Sequence, residues 1–139
     1  MKKFICLCAI TLLAFQAHTY AQNIHLPADS VTKLLCKTWE VDYALVQGKK
    51  VTMPSSTPKI YLVFHKDGTC SAVGGKSKPG EKGRWEYDAQ TGTISMIVEK
   101  ERKSIISLTK TQFVVSADDQ DAVPDDSLRI KVYFKVKQK

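Results

Sequence analysis

Apolar and polar residues alternate one by one along most of the chain after residue 37, which is the period of a β-strand with one buried face. The clearest segment is 128–136, and its apolar members are Leu128, Ile130, Val132, Phe134 and Val136. Segment 39–45 alternates in the same way, with Trp39, Val41, Tyr43 and Leu45 on one face. Each segment is therefore predicted to be a half-buried antiparallel strand.

The same alternation predicts six further strands and leaves room for one helix. The strands are 60–65, 69–73, 84–87, 93–98, 104–108 and 112–117. Residues 27–37 carry the helix signal, with Asp29 or Ser30 as its cap and Val31, Leu34 and Leu35 on one side. Neither an internal repeat nor a linker divides this set, so it predicts one all-β domain with a short N-terminal helix.

The connections between the predicted strands alternate in length. Segments 67–68, 89–92 and 110–111 are short, and Asp67-Gly68 is a strong hairpin signal. Segments 46–57, 74–82, 99–103 and 118–126 are longer. In an up-and-down order, alternate connections lie at opposite ends of the sheet. The pattern predicts an eight-stranded antiparallel up-and-down barrel whose longer loops surround one open mouth.

The first 21 residues have the features of a secretory signal peptide. Lys2 and Lys3 precede an apolar run at 4–15, and the small residue Ala21 supplies a cleavage position. A run of 12 residues is too short to cross a bilayer, which takes about 20. We expect cleavage after Ala21, a periplasmic or secreted product, and no membrane span in the mature chain.

Cleavage would leave one domain at 22–139 and lower the formal net charge from +7 to +5. That size suffices for one modest hydrophobic core. The basic residues are spread along the chain and form no arginine-rich run interleaved with aromatic residues. Nucleic acid is therefore not an expected partner.

Two cysteines, Cys36 and Cys70, remain after cleavage. In an oxidising compartment they are a disulfide candidate. The bridge would stabilise the fold by about 3–4 kcal/mol on the chain-entropy model, because it closes a loop of the unfolded chain. The predicted topology brings both to the tight-turn end of the barrel. The alternative is a pair of buried free thiols.

Three short segments resemble a known family when they are taken in order. Residues 34–39 (LLCKTW) resemble the opening of lipocalin-like domains, with Lys37 at the position that is usually glycine. Residues 64–69 (FHKDGT) and 83–87 (GRWEY) resemble the F-x-x-D-G-T and G-x-W-x-Y segments of small secreted bacterial members. The resemblance implies a lipocalin-like barrel and, for the wider family, binding of small apolar molecules.

The leading functional hypothesis is a carrier that holds a small hydrophobic ligand at the barrel mouth. Alternation alone selects its candidate wall: Tyr43, Leu62, Trp85, Met96, Ile130 and Val132. The alternative is a filled barrel that binds an envelope protein through charged loops, as an inhibitor or assembly factor. Lys76, Lys78 and Lys82 would face the carboxylates of 118–126 across that rim.

No set of residues in the sequence predicts catalysis, a metal or a cofactor. Ser30 and Lys33 have the S-x-x-K spacing of serine acyl-transfer enzymes, but the companion motifs are missing. His25 and His65 are far apart and have no zinc-ligand motif beside them. The acidic segment 118–126 lacks the spacing of a calcium loop, so a solvated hairpin loop is the better interpretation.

Overall fold

The computed structural model describes residues 24–74, 82–117 and 129–139. The predicted signal peptide lies outside these ranges, as do residues 75–81 and 118–128. The described chain begins its regular structure with α1 (Ala28–Leu35). The strands follow in order as β1 (Thr38–Val46), β2 (Lys49–Val51), β3 (Tyr61–Phe64), β4 (Thr69–Val73), β5 (Lys82–Asp88), β6 (Thr93–Val98), β7 (Glu101–Leu108), β8 (Gln112–Ser116) and β9 (Lys131–Val136).

The strands form a closed antiparallel barrel, which confirms the predicted fold class. β1 pairs with β3, each later strand pairs with the next, and β9 pairs back to β1. These contacts close eight strands. β2 is an additional short strand that pairs with the last three residues of β1, Ala44–Val46, inside the segment predicted to be a long loop.

The two ends of the barrel differ. At the closed end lie α1 and the turns that join β3 to β4, β5 to β6, and β7 to β8. The Trp39 indole N–H donates to the Leu35 carbonyl at 2.8 Å, which fixes the end of α1 under the first strand. The Phe113 ring contacts three other aromatic rings, those of Trp39, Phe64 and Phe134. This aromatic cluster fills the barrel next to the helix.

The chain before α1 also packs across the closed end. The Tyr87 hydroxyl lies 2.6 Å from the Leu26 carbonyl and 2.9 Å from the Ile24 carbonyl, both of which are acceptors. The Ile24 amide donates to the Gly92 carbonyl at 2.7 Å. α1 itself is shorter than predicted. Pro27 occupies its N-cap position and no side chain caps it, so the expectation of an Asp29 or Ser30 cap is wrong.

A β-bulge in β1 reverses the predicted faces of the second half of that strand. Val41 lies opposite Phe134, but Tyr43 lies opposite Tyr133, so Asp42 is the extra residue. Because Phe134 faces the core and successive strand residues face opposite sides, Tyr133 and Tyr43 face outward. The sequence alternation placed Tyr43 on the inner face together with Trp39, and the bulge corrects that prediction.

The predicted long connection at 99–103 is a two-residue turn. Glu99 and Lys100 have φ values of 51° and 71°, and β7 begins at Glu101. Two consecutive residues with positive φ form the turn type that suits the twist of a hairpin. Neither residue is glycine or asparagine, so the sequence carries no signal for so tight a turn.

The structure contains Cys36 and Cys70 as free thiols, the alternative to the candidate disulfide. Cys70 is buried in β4 opposite Gly83, and its sulfur lies beside that glycine. Cys36 follows α1, where the charges of Lys66 and Asp67 act on its thiol. The two cysteines share one end of the barrel, as predicted, but their sulfurs have different neighbours.

Candidate functional site: the open end of the barrel

The open end of the barrel is lined by small apolar side chains that face inward. Strand register identifies them. Ala44 lies opposite Val132, Val132 opposite the buried Val115, and Ala72 opposite the buried Leu62. Val98 is two residues beyond the buried Met96 on the inner face of β6. Ala72, Val98 and Val132 pack on the core but keep part of their surface exposed.

β2 extends this wall beyond the barrel rim. Val51 lies opposite Ala44, so it projects to the same side of β1 as the barrel interior. Its side chain is 51% exposed, which makes it one of the most exposed large apolar side chains in the described chain. Ala44, Val51, Ala72, Val98 and Val132 are called the mouth wall below.

The side chains of the mouth wall are smaller and less buried than those at the closed end. Trp39 and Phe113 are 0% exposed and fill the lower interior with large rings. The upper interior carries alanine and valine, and the exposed surface of those residues is apolar. The interior therefore has a packed aromatic base at one end and small, partly exposed apolar side chains at the other.

A charged pair lies on the inner face at the rim. Lys103 is opposite the buried Met96, so its side chain starts on the inner face of β7. The Lys103 ammonium donates to the Ala117 carbonyl at 2.9 Å and lies 3.2 Å from a Glu101 carboxylate oxygen. Both groups are partly solvated. The rim thus offers a cation and an anion above an apolar wall.

Four of the six residues predicted to line the wall, Leu62, Trp85, Met96 and Val132, belong to or pack against the core of the barrel. Leu62 and Met96 are each 7% exposed and lie in the core next to members of the mouth wall. Val132 belongs to the mouth wall, and Ile130 precedes it in the approach to β9, where its carbonyl accepts from the Ala117 amide at 2.9 Å.

Trp85 also faces the interior, whereas Tyr43 does not. Tyr43 is on the outer face, for the reason given above. Trp85 lies opposite Met96 on the inner face of β5, and its indole N–H reaches toward the closed end and donates to the His65 carbonyl at 2.9 Å. A ligand-binding role for the six remains a prediction, and the geometry limits it to the interior members.

Sequence reasoning missed Ala44, Val51, Ala72, Val98 and Lys103. Ala72 and Val98 lie in segments that were predicted as strands, so their small size was available as a signal. Ala44 and Val51 were hidden by the Asp42 bulge and by the unpredicted β2. Lys103 was assigned to a loop rather than to the inner face of a strand.

The titratable side chains of the described residues form no group suited to a metal ion. Within those residues, no cluster of three or more histidine, cysteine, aspartate or glutamate side chains is arranged to hold a metal ion. His25 and His65 are both exposed at the closed end. Burial raises the pKa of the Cys70 thiol to about 11, which keeps it protonated and unreactive at neutral pH.

The described part of the chain contains no helix with the length and apolar character needed to cross a membrane. Comparison with known proteins adds no relative from which a role could be transferred. No family model, curated protein or solved structure matches the chain.

Proposed function

We propose that this chain is an exported, lipocalin-like binding protein that holds the apolar part of a small molecule in the open end of its barrel. The observation that carries the proposal is the mouth wall: inward-facing, partly exposed alanine and valine side chains above a fully packed aromatic base. Small-molecule sites are typically concave and mostly apolar, with a few polar groups that orient the ligand. Lys103 and Glu101 supply such groups at the rim.

The energetics favour a ligand that covers the wall without opening the barrel. Each square ångström of apolar surface removed from water contributes about 25 cal/mol. The base is already packed, so binding requires no rearrangement of Trp39 or Phe113. The predicted signal peptide supports a role in the periplasm or outside the cell, where carriers of poorly soluble molecules operate.

A protein-interaction module is the second candidate. It is favoured by Met53 and Val73, which are 41% and 51% exposed and lie on the approach to the same end. In that case an envelope protein would cover the rim. Lys82 is exposed, whereas Lys76 and Lys78 lie outside the described residues. Reversing the three lysine charges should then abolish capture of the partner and leave folding intact.

Two neighbouring residues of β1 provide a matched test of the carrier proposal. Ala44 faces the mouth and Leu45, opposite Lys50 and Lys131, faces outward. We expect the wild-type protein to bind an apolar fluorescent probe saturably at one site. Ala44→Trp should cover the mouth wall with a large ring and weaken that binding about tenfold, the equivalent of 1.4 kcal/mol.

Leu45→Trp adds a similar ring to the outer face and should leave probe binding unchanged. Urea unfolding of both variants shows that each is folded. Equal effects of the two substitutions, or no saturable binding by the wild-type protein, would contradict the carrier proposal.

A further inference from the structure

A second concave surface lies on the outside of the barrel, across β5, β6 and β7. It is an open pocket of about 710 Å³, and the side chains that matter to it are Lys82, Arg84, Ile97, Glu99, Lys100 and Arg102. Because Ile97 and its partners face away from the core, this pocket is separate from the mouth wall.

Two arginines flank an apolar centre in this pocket. Arg84 and Arg102 both lie opposite Ile97, one on each neighbouring strand. With strands about 4.8 Å apart, their Cα atoms are separated by about 10 Å. The Ile97 side chain lies between them and provides an apolar floor.

One carboxylate pairs with both guanidinium groups. Arg102 Nη2 donates to one Glu86 carboxylate oxygen at 3.4 Å, and Arg84 Nε lies 3.4 Å from the other oxygen as an ion pair. Each guanidinium has five N–H donors, so these contacts leave several donors of each arginine available. Glu86 therefore pairs with both arginines through solvated contacts and leaves most of their hydrogen-bonding capacity available.

The turn at the end of the pocket adds a third cation in a constrained position. Lys100 lines the pocket from a backbone with a φ of 71°, directly after Glu99 with a φ of 51°. The left-handed conformation is unfavourable for a residue with a side chain, so the paired strands hold this turn in place. Lys82 is the fourth cation, so four positive groups face Glu86 and Glu99, and the pocket keeps an excess of positive charge.

We propose that this outer pocket binds the phosphate group of a small anion or of a lipid headgroup. Planar guanidinium groups match phosphate oxygens through paired hydrogen bonds, and several cations favour a doubly charged group. Ile97 would contact the alkyl portion of a phosphate ester. Because the pocket is solvated, binding depends on ionic strength and weakens as salt is added.

The test is calorimetric titration at low ionic strength with inorganic phosphate and glycerol phosphate, and co-sedimentation with phosphatidylglycerol vesicles. The variant is Arg84→Gln/Arg102→Gln. The control is Lys33→Gln/Lys110→Gln, which removes the same charge at the closed end. We expect about tenfold weaker binding for the arginine variant, because two charged hydrogen-bonding groups are lost, and no change for the control.

Binding of the soluble phosphates identifies a small solute as the source, and binding of vesicles alone identifies a lipid headgroup. Either result supports the proposal if it requires Arg84 and Arg102. Equal losses in the two double variants, or no binding of any of the three probes, overturn it. Uptake of the apolar probe should be normal in the arginine variant. The phosphate proposal and the carrier proposal can therefore fail separately.

Discussion

The Tyr43 ring stacks on the Tyr133 ring on the outer face of the barrel, with centroids 4.4 Å apart and planes 12° from parallel. The Lys50 ammonium lies 4.1 Å from the Tyr43 ring centre and covers its other side. The pair exists because the bulge at Asp42 turns Tyr43 outward. The Asp42 carboxylate lies 3.0 Å from the Lys135 ammonium, on the adjacent strand.

Removing this stack should weaken the fold but leave the mouth intact. Tyr43→Ala loses an aromatic pair worth about 1 kcal/mol beyond its buried area, so the free energy of unfolding should fall by at least that amount. Urea denaturation measures the loss. Binding of the apolar probe should be unchanged, since Tyr43 does not reach the interior. A loss of probe binding as large as that of Ala44→Trp would contradict the outward position of Tyr43.

The aromatic base should account for a large share of the stability. Phe113→Ala removes the ring that touches Trp39, Phe64 and Phe134, and we expect it to cost about 3–5 kcal/mol. Trp39→Phe keeps most of the volume but leaves the Leu35 carbonyl without its indole donor, which should cost about 1–3 kcal/mol. Urea unfolding would order the two variants. A milder effect for Phe113→Ala than for Trp39→Phe would show that the base is not tightly packed.

Gly83 is required by a close approach between strands. A Cβ atom there would lie 2.6 Å from the Ile97 carbonyl oxygen and 2.8 Å from a Val98 methyl group. Gly83→Ala should therefore destabilise the barrel by about 3 kcal/mol, because backbone atoms must move. Gly48→Ala is the control: its Cβ would meet nothing within 4 Å, so only the cost of its φ of 73°, about 1 kcal/mol, remains. Equal melting temperatures for the two variants would argue against tight packing at Gly83.

The two thiols should differ in reactivity. Burial raises the pKa of both, but Cys36 keeps part of its surface exposed whereas Cys70 is 1% exposed. Under native conditions an alkylating reagent should modify Cys36 first and reach Cys70 only on unfolding. Mass spectrometry counts the modified thiols. Detection of an intact Cys36–Cys70 disulfide in the purified protein would contradict the free thiols.

Cys70 also predicts a loss of stability at alkaline pH. Its thiol ionises near pH 9.0 in the unfolded chain and near 11 in the folded barrel. Above pH 9 the unfolded state therefore gains ionisation free energy that the folded state does not, and stability falls as the pH approaches 11. Cys70→Ala should lose this component of the alkaline slope in urea titrations. If the free energy of unfolding falls with the same slope above pH 9 in the variant, the loss of stability arises from other groups.

Much of the fold follows from local pattern, because the physical causes lie within a few residues. Alternation places β8 and β9 correctly, and Asp67-Gly68 produces the turn that it predicts: Gly68 has a φ of 84° and the Asp67 carboxylate accepts from the Thr69 amide at 2.9 Å. The order of the connections predicted the up-and-down barrel, whereas the closure of its sheet is visible only in the pairing of β9 with β1.

The features that were missed carry no recognisable local sequence signal. The Asp42 bulge is set by how β1 fits against β9, and no turn or glycine marks it. β2 consists of Lys49–Val51, which is too short and polar to stand out. The Glu99–Lys100 turn lacks the usual turn residues. The bulge and β2 place Ala44 and Val51 in the mouth wall, and the turn places Lys103 on the inner face of β7. The predicted wall therefore lacked these residues and wrongly included Tyr43.

Native mass spectrometry of the mature protein from its own source tests the central proposal most directly. The spectrum would be recorded before and after mild extraction with organic solvent. A carrier predicts a discrete extra mass that disappears on extraction and that Ala44→Trp, but not Leu45→Trp, fails to retain. A bare protein mass in all three proteins, together with no uptake of apolar probes, would contradict a ligand in the barrel mouth.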